Sequence, residues 1–327
     1  PRPVSLFNDI SKRLLYMKNL ADLVLMVENA LQKVTYPKLP EGLYEPVAYV
    51  LGGGGKRIRP TLVLLGHYLY SDDVERALPA ALALETYHNH TLLHDDLMDR
   101  ADLRHGRPTV HKKWDDNTAV LSGDTMLILS VRHMLEVDSP HRAELLQLFT
   151  RTMQQICEGQ QYDVNFERRN DVTEEEYLEM IRLKTSVLLA CAIKCGAIIG
   201  GASAADADRL YAFAEQVGLA FQLRDDYLDV YGDPRIFGKK IGGDILCGKK
   251  TFLLINALRR ADEATRERLL SLLQDGGMPA GEKIAAVTAI YDALHIADLC
   301  NEAIEHCYQK AVSYTHLRAH ETELHLV

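Results

Sequence analysis

Apolar residues recur along this chain at spacings of three and four nearly from end to end, with almost no alternating runs of the β type. That period predicts amphipathic helices. Leu82, Leu84, Tyr87, Thr91 and Leu92 form one such stripe, and Leu210, Phe213, Ala214, Val217 and Phe221 form another. The run from Asp171 to Glu176 predicts a helix start, with Thr173 as cap and Glu176 in the capping-box position. The most apolar stretch, Val187 to Ala202, is interrupted by Lys194 and is short for a membrane span, so it predicts a buried core helix and not a transmembrane segment. Glycine and proline punctuate the pattern at Pro37 to Gly42, Gly52 to Gly55, Gly106 to Pro108, Gly232 to Pro234, Gly242-Gly243 and Gly276 to Gly281. No low-complexity linker divides the chain, and a single all-α domain is the economical architecture.

Each of the two apolar stripes leads into the same acidic pattern. Asp95-Asp96-Leu97-Met98-Asp99 and Asp225-Asp226-Tyr227-Leu228-Asp229 both carry carboxylates at i, i+1 and i+4. On a helix the first and last Asp share a face about one turn apart, where like charges cost roughly 0.2–0.5 kcal/mol. A hard divalent cation such as Mg²⁺ would offset that cost, since carboxylate oxygens suit it and it shares its remaining positions with waters and phosphates. One such motif alone reads better as a solvated acidic helix end. Two, each embedded in an apolar helix, favour metal, and one bundle would let them face each other across an internal cavity.

Basic and glycine-rich segments accompany the carboxylates. Gly52-Gly53-Gly54-Gly55-Lys56-Arg57-Ile58-Arg59-Pro60 places a glycine loop before three cations at a helix start, the makings of a diphosphate cradle. It is not a Walker A loop, because it lacks both the pattern and the strand context. Arg100, Arg104, His105, Arg107 and His111 follow the first acidic motif; Lys239, Lys240, Lys249 and Lys250, hinged by glycines, follow the second. A metal alone would not need these cations, but a phosphate held between metal and protein would.

Bulk properties narrow the choice further. The chain has 327 residues, 47% of them hydrophobic and 25% charged, with a net charge of −9. That balance suits a large globular core and argues against a general nucleic-acid binder. Six cysteines without a CxxC pair or regular framework read as reduced thiols, which with no visible secretory signal suggests a cytoplasmic protein. The first residue is not Met, so the N-terminus reads as truncated. Val312 to Thr322 resembles the translation of a sequencing adapter, so residues 312–327 read as a non-native tail and residues 1–311 as the domain.

The order GGGGKRIRP, LLHDDLMDRADLRHGRPTVH, LKTS and FQLRDDYLDVYGDPRIFGKKIGGDILCGKKT resembles the trans-isoprenyl diphosphate synthases, the polyprenyl synthetase family, over most of residues 40–310. The resemblance implies the isoprenoid synthase helical bundle around a central cavity, usually a homodimer. It implies head-to-tail condensation of isopentenyl diphosphate with dimethylallyl, geranyl or farnesyl diphosphate. By position, Asp95, Asp99 and Asp225 would hold Mg²⁺ on the allylic diphosphate, in a cluster of about three ions for which Mn²⁺ could substitute; Asp96, Asp226 and Asp229 would be further ligands or lie just behind them. Lys56, Arg59 and His88 match the isopentenyl diphosphate site. Arg104, Lys184, Lys239 and Lys249 match contacts to the allylic diphosphate, and Thr185 and Gln222 match positions facing the developing cation.

Two features bear on specificity. His105 stands where the family usually has a second Arg contacting isopentenyl diphosphate, which implies weaker binding unless Arg107 substitutes. Tyr87, His90 and Thr91 lie one to two turns before Asp95, where a floor limiting the product would sit, and favour a fifteen- or twenty-carbon product. The alternatives are a longer-chain synthase, a non-catalytic partner subunit, a terpene cyclase and a metal-dependent phosphohydrolase. None accounts for all four segments together.

Overall fold

The computed structural model describes residues 19–233 and 241–323, with side chains as far as Tyr314. It is 76% helical and 1% strand, so the all-α expectation holds. The chain forms two compact units, residues 1–146 with 192–204 and residues 147–191 with 205–327.

In the first unit, α1 (Leu20–Lys33), α2 (Tyr44–Leu51), α3 (Ile58–Tyr68), α4 (Leu78–Met98), α5 (Val110–Lys113) and α6 (Asp116–Leu135) follow in order. The central element is α4, which packs along α6 and also against α3 and α1. Val47, Leu51, Leu93, Val110, Ala119 and Met126 form a core beneath it. α7 (Arg142–Phe166) follows, and after it α8 (Glu174–Ile181), a π turn (Arg182–Ser186) and α9 (Val187–Gly200) run in succession. The C-terminal half of α9 packs against α3 with almost no side chain between: a Cβ on Gly200 would stand 2.7 Å from the His67 carbonyl oxygen, and one on Gly196 2.8 Å from the His67 nitrogen. Only glycine permits so close an approach.

The second unit contains α10 (Ala204–Tyr231), α11 (Gly243–Cys247), α12 (Phe252–Arg260), α13 (Glu263–Gln274), α14 (Ala280–Ala293) and α15 (Ile296–Glu323) with most of α7 and α8. Its core gathers Phe166, Tyr177, Leu223, Phe252, Tyr291 and Ile304. α8 begins as its sequence predicts. The Thr173 side chain accepts from the Glu176 N–H, and the Glu176 carboxylate accepts from the Thr173 N–H. Among the described residues, Glu174–Gly200 is the one helical stretch long and apolar enough to cross a membrane, and 78% of its most apolar window is buried inside the protein, as expected of a core helix.

Candidate active site

In the first unit the acidic motif occupies the last turn of α4, with Asp99 as the C-cap. Helical periodicity divides its carboxylates. Asp95 is half-buried and Asp99 exposed, whereas Asp96, 100° around the helix, is 6% exposed. Arg104 meets Asp96 through Nε at 2.8 and 2.9 Å and through Nη2 at 2.8 Å. This pairing offsets the cost of burying the carboxylate.

Arg104 is placed by a small hairpin, β1 (Leu103–Arg104) paired antiparallel to β2 (Arg107–Pro108). His105 and Gly106 form its turn with φ of 51° and 75°. Positive φ at both central residues defines the tight turn whose twist matches the strands, and His is among the few non-glycine residues that tolerate it. Arg107 then stacks on Tyr49, with Cζ 4.0 Å from the ring centroid.

The glycine loop lies against this hairpin. A Cβ on Gly53 would meet Arg107 Nη1 at 3.2 Å, and one on Gly55 would lie 3.9 Å from His105 Cε1. Gly53, Gly54, Asn89, Asp96, His105 and Arg107 contribute to the lining of a small cavity of about 50 Å³. Arg59, which is not among the residues lining that cavity, donates from Nη1 to His88 Nε2 at 3.1 Å. Desolvation, followed by the cations Arg59, Arg104 and Arg57, holds His88 well below its ordinary pKa, so the ring is neutral and accepts. Burial likewise lowers Arg59 to about 10, and its Nε is buried with no hydrogen-bond partner among the described residues. Lys56 is exposed.

The residues ahead of the motif are held in place. Tyr87 is fully buried, with its ring 5.5 Å from that of His90. His90 Nδ1 lies 2.9 Å from the Gly123 carbonyl oxygen, and its ring meets His94 edge-on at 4.6 Å. Thr91 Oγ1 donates to the His88 carbonyl.

In the second unit, Lys184 and Thr185 sit in the π turn, an irregularity that widens a helix locally and recurs at functional sites. Two flanking glycines make room for it. A Cβ on Gly159 of α7 would lie 2.9 Å from the Leu183 carbonyl carbon, and one on Gly218 of α10 would lie 2.7 Å from Ser186 Cα. Lys184 Nζ donates to Asp163 at 2.7 Å. Thr185 Oγ1 donates to Gln222 Oε1 at 3.3 Å, and Gln222 Nε2 donates to Asp226 Oδ1 at 3.3 Å.

Asp226 is 2% exposed and receives two more hydrogen bonds, from the Tyr177 hydroxyl and, at 3.2 Å, from the Phe252 N–H. Burial pushes its pKa up to about 7 against those donors. Asp225 is half-buried. Asp229 accepts from the Asp244 N–H at 3.0 Å and so anchors the start of α11. Lys249 is 3.9 Å from Asp244; desolvation lowers its pKa, but Asp244, Asp163, Asp226 and Asp225 outweigh that and raise it. Lys239 lies outside the described residues.

The donor set at both motifs is entirely oxygen, which fits a hard cation such as Mg²⁺. Among the described residues no three His, Cys, Asp or Glu side chains are gathered closely enough to hold a metal ion by themselves. Three participants escaped sequence reasoning: Asp163, Tyr177 and Tyr49, on whose ring Arg107 stacks. Each acts through a contact distant in sequence, and none stands out from its neighbours by type.

The Polyprenyl synthetase family model matches residues 40–294 of the chain. A short chain isoprenyl diphosphate synthase of Methanocaldococcus jannaschii is 37% identical over 281 residues, 84% of this chain and 86% of that protein. A geranylgeranyl diphosphate synthase of Methanosarcina mazei is 41% identical over 236 residues, 72% of this chain and 73% of its own length. Among solved structures, a geranylgeranyl pyrophosphate synthetase from Pyrococcus horikoshii superposes with a TM-score of 0.85 at 32% identity, covering 90% of this chain and 91% of that one. The all-α fold and the paired acidic motifs thus define a prenyltransferase class. The chain belongs to the polyprenyl synthetase family, whose chemistry depends on divalent metal.

Proposed function

We propose that the chain condenses isopentenyl diphosphate with a dimethylallyl, geranyl or farnesyl diphosphate, head to tail, releasing diphosphate and yielding a linear trans-prenyl diphosphate of fifteen to twenty carbons. Arg59 carries this reading. A desolvated guanidinium with a buried, unpartnered N–H, beside a glycine loop and one helix away from an acidic motif, is a cation prepared for an anion. Lys56 and His88 are assigned to that pocket with it, while His105 and Arg107 line the small cavity at the hairpin.

Mg²⁺ held by Asp95, Asp99 and Asp225 would supply the charge that stabilises the departing diphosphate. The chain's own part follows from its cations and its apolar flanks. Arg104, Lys184, Lys239 and Lys249 bind the allylic diphosphate. Thr185 and Gln222 present oxygen atoms to the allylic cation left behind, and the apolar helices around them keep out the water that would quench it. Lys56 and Arg59 hold isopentenyl diphosphate so that its double bond attacks without a second diffusional encounter. The proton lost afterwards goes to released diphosphate, so no side-chain base is assigned. Tyr87, His90 and Thr91 set the product length.

Residues 1–311 act as the functional domain of a cytoplasmic homodimer. Leu121, Ile128 and Leu135 support the second part, being exposed at 58%, 62% and 47% and spaced by seven along α6, a seam suited to another helix. Incubation with labelled isopentenyl diphosphate and each allylic primer, with and without Mg²⁺, tests the reaction. Mg²⁺-dependent linear products are expected, and absence of elongation from every primer would overturn it.

A further inference from the structure

The three basic residues after the glycine loop do not share one role. Lys56 is exposed and Arg59 retains an unpartnered N–H, but every face of Arg57 is occupied. Its side chain is 1% exposed and sits on a backbone with φ of 49°. Nε donates to Glu28 of α1 at 2.7 Å, Nη1 to Glu85 of α4 at 2.6 Å and Nη2 to the Leu51 carbonyl at 2.7 Å.

We infer that Arg57 is a positioning residue, which clips the glycine loop shut and locks it to α4, so holding Lys56 and Arg59 in place for isopentenyl diphosphate without touching it. This rests on the reading of that pocket given above. The bond from Nη2 to Leu51 joins the two ends of the segment Gly52 to Lys56. Four consecutive glycines have more backbone freedom than any other sequence of that length, and a cradle built from them has no defined shape unless its ends are tied. The Glu85 bond adds a register. Glu85 lies one turn before His88 and Asn89 on the helix that carries Asp95, and it also receives Asn89 Nδ2 at 3.0 Å. The loop is thereby set against the same helix that presents the acidic motif. Glu28 holds the assembly from a third side. Glu85 also supports the positive charge of Arg59 where no solvent does.

The test measures isopentenyl diphosphate binding by titration calorimetry, and the Michaelis constants of both substrates, for the wild-type chain, Arg57→Lys and Glu28→Gln. Lysine keeps the charge but loses the fork that reaches three acceptors at once. Arg57→Lys should weaken isopentenyl diphosphate binding and raise its Michaelis constant roughly tenfold or more, the worth of a lost charge-assisted hydrogen bond. The allylic Michaelis constant should stay within about twofold, below half of a tenfold step on the free-energy scale. Glu28→Gln, at a partly exposed site, should act more weakly in the same direction and keeps the test decisive if Arg57→Lys does not fold. Unchanged binding in both variants, or an equal rise in both Michaelis constants, would overturn the inference. Failure of the wild-type chain itself to bind isopentenyl diphosphate would instead overturn the pocket assignment, and this inference with it.

Discussion

Replacing Gly159 with Ala would probe the π turn that carries Lys184 and Thr185. The new methyl would stand 2.9 Å from the Leu183 carbonyl carbon and closer still to the Lys184 nitrogen. Both are backbone atoms of a turn pinned on its other side by Gly218, so no side chain can rotate away. Helix propensity favours Ala over Gly by about 1 kcal/mol, while forcing a methylene-sized group into packed backbone costs roughly 1–3 kcal/mol. The net loss should be up to about 2 kcal/mol, lowering the melting temperature by as much as several degrees at ~2–4 °C per kcal/mol. Gly281 supplies the control: it lies in the first turn of α14 with nothing within 4 Å of where a methyl would stand, so Gly281→Ala should be neutral or slightly stabilising. Relief of the clash must shift the turn, which would move Lys184 from its 2.7 Å contact with Asp163 and raise the Michaelis constant for the allylic substrate above that for isopentenyl diphosphate. Thermal denaturation with steady-state kinetics on both variants reads the two effects. A Gly159→Ala protein as stable as Gly281→Ala, with unchanged kinetics, would refute the reasoning.

Four further outcomes are expected. His105→Arg should lower the Michaelis constant for isopentenyl diphosphate several-fold, since a forked guanidinium suited to phosphate replaces an imidazole at the lining of the cavity; an unchanged constant sinks the idea. Burial, then His94, depresses His90 from 6.5 to about 4, so the folded state binds fewer protons there than the unfolded chain, and stability is lost as pH falls from 6.5 towards 4, by at most ~3 kcal/mol. Asp226, raised to about 7, acts with opposite sign, so the informative quantity is the melting-temperature difference between wild type and His90→Gln, which should shrink on acidification; a constant difference contradicts it. Arg104→Gln should destabilise by about 1–3 kcal/mol in denaturant titrations, because it strips a buried carboxylate of its partner, and Asp96→Asn in the same background should restore part of the loss. Asp225→Asn should abolish Mg²⁺-dependent turnover with little change in melting temperature, whereas Asp226→Ala should lower the melting temperature as well; the reverse pattern would reassign the second motif.

Much of the fold was legible because its signals are local. The helix period, the Thr173–Glu176 capping box and the buried Val187 helix all follow from residues within a few positions of one another, and all are found. The same locality explains what could not be read. Nothing near Gly159 says that it must clear a π turn at Leu183, and nothing near Asp163 names Lys184 as its partner. Arg57 shows the limit from the other side. In sequence it is one of three equivalent cations, and only the positions of Glu28 and Glu85 on other helices set it apart as a side chain already paired within the protein.

The two acidic motifs carry the clearest lesson, because the same spacing of carboxylates yields a repeated division of labour. In each, the first Asp is half-buried, and the second is turned inward and satisfied by protein: Asp96 by Arg104, and Asp226 by Tyr177, Gln222 and the Phe252 N–H. The partners differ completely in chemistry, a guanidinium in one case and neutral donors in the other. Helical geometry alone makes the outcome common, since residue i+1 must leave the face shared by i and i+4. The neutral shell has a consequence the guanidinium does not. With no cation in hydrogen-bonding contact, burial raises Asp226 to about 7 against its neutral donors and the more distant Lys249, whereas at Asp96 a directly bonded guanidinium offsets the cost of burial. Replacing each inner Asp by Asn should therefore separate the motifs. Asp226→Asn, whose amide oxygen can still accept from Tyr177 or Phe252, should be tolerated in melting temperature, whereas Asp96→Asn leaves Arg104 without its carboxylate and should cost about 1–3 kcal/mol. Equal losses at the two positions would show that charge pairing does not distinguish them.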